Sequence, residues 1–73
     1  MNTPELIASH TQQLTEAEAL ADALGIEWEQ GARSGADVSE IEDRIDHTAR
    51  VVKRLSLRLE ALEAEVAARH HQP

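Results

Sequence analysis

The stretch Val38–Val66, VSEIEDRIDHTARVVKRLSLRLEALEAEV, decides the fold. Val38, Ile45, Val52, Leu59 and Val66 recur every seven residues, and Ile41, Thr48, Leu55 and Leu62 follow each of the first four by three. Nine successive core positions therefore hold eight aliphatic side chains and one threonine. A heptad repeat of this kind turns one stripe of a helix towards a partner helix along its whole length. The next position is Arg69, where the stripe stops. Two overlapping capping boxes, Asp37-x-x-Glu40 and Ser39-x-x-Glu42, stand at the start, and either could satisfy amides of the first turn. The spacing predicts a helix over about 37–69.

Upstream, Ile7, His10, Leu14, Ala17, Ala21, Leu24 and Trp28 alternate three and four residue steps, with Leu6 and Leu20 beside them. That is a second amphipathic helix. Thr3-Pro4-Glu5 marks its start, because threonine can accept from a free amide, proline fits the first turn and glutamate suits the positive end of the dipole. The stripe runs through Gly25. A helical glycine costs only ~1 kcal/mol relative to alanine, whereas stopping at Leu24 would strand Ile26 and Trp28 in a loop. The first helix is expected over about 4–30, with a turn over about 31–36 drawn from Gly31-Ala32-Arg33-Ser34-Gly35.

Two helices of similar length joined by a short turn imply a single all-α domain, an antiparallel helical hairpin with short frayed termini. With the turn centred on Ser34, residue i faces residue 68−i. Glu16 and Glu18 then lie beside Val52 and Arg50, but Asp22 lies beside Asp46, so charge supports the hairpin in one place and opposes it in another. Leu6, Leu20, Val51 and Leu57 widen the stripe beyond what two helices can enclose. A second hairpin would cover the remainder, and a homodimeric four-helix bundle is the expected assembly. Its rival is a parallel coiled-coil dimer through the second helix, in which Arg58 meets Glu63 but Asp37 meets Glu42.

Composition narrows the chemistry. A chain of 73 residues without cysteine has no disulfide or thiolate site, and so small a core usually needs help from self-association. The four histidines are scattered. His10 reads as a bundle-edge residue and His70-His71 as a solvated tail, so no metal site and no cofactor are expected. Glycine-rich phosphate loops, nucleophile elbows and paired catalytic groups in a pocket are lacking, which argues against an enzyme and against a small-molecule substrate. No segment has the length and apolarity of a membrane span, nor does the amino terminus read as a secretion signal. The expected setting is cytoplasmic, as for a small phage or bacterial accessory protein.

Net charge is −7, unevenly spread. Residues 1–31 carry six acids and no lysine or arginine, while Arg44, Arg50, Lys53, Arg54 and Arg58 share their stretch with Asp46 alone. The expected function is therefore non-enzymatic protein–protein interaction by a homo-oligomer, as an assembly factor, adaptor or small inhibitor. Ile45, Val52, Leu55, Leu59 and Leu62 are the candidates for self-association. Arg50, Arg54, Leu57 and Arg58 are the candidates for contact with another protein, Leu57 being an apolar residue at an outer helix position among cations. Two alternatives remain open. The Arg50/Lys53/Arg54/Arg58 flank could bind nucleic acid, or the acidic first helix could act as a decoy, inhibiting a nucleic-acid-binding enzyme by imitating a phosphate backbone.

Overall fold

The computed structural model describes residues 2–70, the side chain of His70 excepted; the His70-His71 pair therefore lies outside the described residues. Two helices, α1 (Thr3–Ser34) and α2 (Ser39–His70), each of 32 residues, lie against each other as an antiparallel hairpin. The chain forms a rod of 62 × 16 × 14 Å. Among the described residues, no helix is long and apolar enough to cross a membrane.

α1 starts one residue earlier than the sequence suggests. Asn2, not Thr3, is the N-cap, and its Oδ1 accepts from the Glu5 amide at 2.9 Å. Thr3 is already helical, so its hydroxyl is not the cap. The helix passes through Gly25, as expected, and also through Gly31, continuing to Ser34. Gly35 ends it in the left-handed conformation, φ 76° and ψ 17°. Its amide donates to the Ala32 carbonyl at 3.3 Å, and the Ala36 amide donates to the Gly31 carbonyl at 2.9 Å. This paired closure is the Schellman motif, which glycine completes without steric penalty.

The connection is thus 35–38 rather than 31–36, and Gly31 has another purpose. A Cβ built there would lie 2.8 Å from the Val38 Cγ1. Val38, just before α2, leans on bare α1 backbone, and only glycine leaves room for it. At the start of α2 the reciprocal capping boxes are replaced by a simpler arrangement. Asp37 Oδ1 accepts from both the amide and the hydroxyl of Ser39, at 3.0 and 2.6 Å, while the first backbone bond runs from the Glu42 amide to the Val38 carbonyl. Both donors hold the Asp37 carboxyl below its ordinary range, since each favours the ionised form.

With the turn centred between Ala36 and Asp37, residue i of α1 lies level with about residue 73−i of α2 at equal rise per residue. The two stripes then match slot for slot. Ile7 is level with Val66, His10 with Leu62, Leu14 with Leu59, Ala17 with Leu55, Ala21 with Val52 and Leu24 with Thr48. Nearer the turn, Trp28 is level with Ile45 and Gly31 with Ile41. All these seam residues are buried or half-buried except Trp28. Leu24, at 1 % exposure, is the most enclosed side chain, followed by Thr48 and then by Leu59 and Leu62. Small residues on α1 oppose large ones on α2 over the waist, which lets the helices approach closely.

Two polar residues sit in the seam without cost to the backbone. The Thr48 hydroxyl donates to the Arg44 carbonyl one turn back at 2.7 Å, so the buried threonine has its partner. His10 Nδ1 lies 2.8 Å from the Leu6 carbonyl. A carbonyl can only accept, so Nδ1 is the donor in this contact. Among the described residues no buried side-chain donor or acceptor lacks a partner.

Candidate interaction surfaces

The seam claims the residues expected to drive self-association. Ile45, Val52 and Leu55 are half-buried and Leu59 and Leu62 buried, and all five face α1 of the same chain. The rest of the surface comprises the outer ridges of α2 and α1 and the two flanks of the seam.

The outer ridge holds the residues expected to meet another protein. Arg50 and Leu57, seven apart, lie on the line of α2 farthest from α1, with Arg54 and Arg58 leaning to one side of it and Lys53 to the other. All five are exposed, and Leu57 is 56 % exposed. Arg50 Nη2 is engaged by Asp46 Oδ2 at 2.8 Å. That pair is solvated at both ends and so contributes about 0.3–0.5 kcal/mol at most. Ile26 occupies the corresponding outer line of α1 and is 58 % exposed.

The two flanks differ in kind. The first is formed by residues following the seam towards Leu20 and Val51. Its α1 half carries Leu6, Leu20, Ala23 and the acids Glu16 and Glu27; its α2 half carries Val51, Ala61 and the bases Arg44, Arg54 and Arg58, with Glu40 and Glu65 at its ends. Leu6 and Val51 are half-buried and Leu20 is 45 % exposed. By the same count from the turn, Leu20 and Val51 lie within about two residues of one level. Glu27 and Arg44 stand one heptad nearer the turn, and Glu16 and Arg58 stand towards the termini.

The second flank is acidic. Glu18, Asp22 and Glu29 from α1 join Glu42, Asp46, Glu60 and Glu63 from α2, all exposed, with Lys53 as the cation among them. Near the turn this flank opens into a shallow groove of about 390 Å³ lined by Trp28, Glu42, Ile45, Asp46 and Ala49. Ala49 contributes only a methyl group to its lining, and Trp28 stands half out of the seam at 39 % exposure.

Charges do not bind the two helices together. The three ion pairs among the described residues, Glu29–Arg33, Asp46–Arg50 and Glu65–Arg69, at 2.7, 2.8 and 2.7 Å, all run four residues apart within one helix. Among the described residues the opposite bias of α1 and α2 is not drawn into an ion pair between them. The sequence reading marked Leu6, Leu20, Val51 and Leu57 as lateral extensions of the stripe, but missed Glu27 and Arg44. Extending the α1 heptads outward by one position would have found them.

No family model matches the chain, and comparison with curated proteins and with solved structures returned no match.

Proposed function

We propose that the chain is a non-enzymatic protein–protein interaction module that works as a homo-oligomer, a four-helix bundle of two hairpins acting in the cytoplasm as an assembly factor, adaptor or small inhibitor. The observation that carries this reading is surface area. The hairpin exposes 5579 Å², whereas a compact monomer of its 8.1 kDa would expose roughly 4,500 Å². The excess, roughly 1,100 Å², is more than the ~800 Å² that each partner contributes to a standard interface. A chain left in this form would expose Leu20, Ile26, Trp28 and Leu57 together, and covering apolar surface is worth about 25 cal/mol per Å².

In the assembled bundle the Arg50/Leu57 ridge, with Arg54 beside it, meets the external partner, Leu57 being the apolar contact and the two arginines engaging acidic groups around it. The experiment is a solution mass measured across concentration, together with a Leu57→Asp variant. Mass above 8.1 kDa, unchanged in Leu57→Asp while partner binding is lost, supports both parts. A fully helical monomer at all concentrations overturns the oligomer, and partner binding indifferent to Leu57→Asp overturns the ridge.

One observation favours a second reading. The acidic flank sets seven carboxylates along one side of a rod with a single lysine among them, a surface suited to occupying the binding channel of a nucleic-acid enzyme. A basic partner bound in competition with DNA would support this decoy role, and binding indifferent to DNA would remove it.

A further inference from the structure

We infer that the covering molecule is a second copy of this chain, docked on the Leu20/Val51 flank with both turns at the same end, so that each acidic α1 lies along the partner's basic α2. This rests on the homo-oligomer reading above and adds to it which face is used and which way round the copies lie.

The choice of face follows from the contrast between the flanks. The acidic flank would bring together two sets of seven carboxylates, of which Glu29 and Asp46 are engaged by arginines of their own helix, with a lysine from each copy between them, and like charges at close range are costly. The other flank carries the apolar side chains Leu6, Leu20 and Val51 with both signs of charge around them. One face of a rod 62 Å long and 16 Å across is also large enough for the roughly 800 Å² per partner of a stable interface.

The direction follows from the helices themselves. Two hairpins stacked face to face admit two closed two-fold arrangements. With the axis along the rod, turns share one end and α1 of each copy lies on α2 of the other. With the axis across the rod, turns lie at opposite ends and α1 lies on α1. The second would lay α1 on α1, whose charges on this flank are Glu16 and Glu27 with no cation among them, so neither acid would meet an opposite charge. The first sets the Leu20/Val51 level of each copy against the same level of its partner. It also puts Glu27 beside the partner's Arg44 and Glu16 beside the partner's Arg58. These are charges that no ion pair among the described residues uses. The interhelical attraction missing within the hairpin is thereby made between hairpins.

The absence of cysteine makes site-directed labelling clean. An Ala36→Cys variant carrying a nitroxide on the exposed turn gives a label–label distance within about 30 Å if turns share an end, since bundled helices lie 8–10 Å apart. Opposed turns would give about 48 Å or more, the length of a 32-residue helix at 1.5 Å per residue. The charge contact is tested by exchange. Glu27→Arg and Arg44→Glu should each weaken self-association roughly tenfold, and an equimolar mixture of the two should restore it, because each α1 then meets an opposite charge. Leu20→Glu should dissociate the dimer with helicity retained. A long label distance in a chain that still dimerises overturns the arrangement while leaving the oligomer intact. So does a mixture no tighter than its components, or dissociation by Leu57→Glu but not by Leu20→Glu. A monomeric wild-type chain overturns both.

Discussion

α1 and α2 have the same length but opposite ways of contributing to one seam. α2 supplies volume in the form of Val52, Leu55, Leu59, Leu62 and Val66. α1 supplies clearance through Ala17, Ala21 and Gly31, with Leu14 and Leu24 as its larger members. A helix that contributes clearance has a weaker hydrophobic signal, yet the enclosure of the other helix depends on it. The lesson is that in a hairpin this thin the side chain hardest to reach, Leu24, sits on the less hydrophobic-looking stripe, at the level of a satisfied threonine rather than of another leucine.

That contrast can be broken most forcefully at Leu24. Leu24→Ala removes the most enclosed side chain from a place where Thr48 cannot expand to fill the gap. A loss of about 2–4 kcal/mol is expected, read as a fall in the midpoint of denaturant unfolding. A loss no greater than that of Leu57→Ala, an exposed position, would show the seam to be less enclosed than described. Next comes the turn. Gly35→Ala forces a side chain into a left-handed conformation at φ 76°, which costs about 1–2 kcal/mol and should appear in the same measurement.

The two helical glycines sharpen the comparison, because the same substitution should act with opposite sign. At Gly25 an added Cβ meets nothing within 4 Å, so Gly25→Ala should stabilise by about 0.5–1 kcal/mol. At Gly31 the added Cβ meets the Val38 side chain at 2.8 Å, so Gly31→Ala should lose that gain and destabilise. Val38→Ala in the same chain should recover much of the difference, and a double-mutant cycle of thermal melts measures the coupling.

The smallest effect is at Asp37. Its carboxyl is held below the ordinary range by the Ser39 hydroxyl and amide. The ionised form is therefore favoured in the folded state, and its contribution is present above the unfolded value of 3.8 and fades as pH falls through the lower folded value. The stability difference between wild type and Asp37→Ala should shrink on acidification below 3.8. A difference that stays constant to low pH would remove the cap's electrostatic component.

The fold was legible where residue type and position agreed. Eight aliphatics in nine core slots of α2 leave little else for that helix to be, and the passage of the α1 stripe through Gly25 correctly outweighed a lone glycine. The end of α1 was not legible, because a glycine that ends a helix and one that admits a neighbour's methyl group look alike in sequence. Gly31 is the second kind and Gly35 the first. Placing the turn too early displaced the pairing by about five residues, which is why the charge test on Asp22 and Asp46 gave a mixed answer. At the ends, Asn2 and Thr3 are both competent caps, and only geometry separates them. The lateral surfaces were half legible: their apolar members stood out by type, while Glu27 and Arg44 gain significance only once both helices are set in register.

Trp28 carries a practical consequence. It is the sole aromatic residue in the chain, half out of the seam beside the acidic groove, so intrinsic fluorescence reads one flank of the rod and is silent about the other. A ligand settling over Glu42 and Asp46 would dry the indole and move its emission to the blue, whereas events on the Leu20/Val51 side would leave the colour unchanged. The molecule thus carries its own label for telling which of its two sides is occupied.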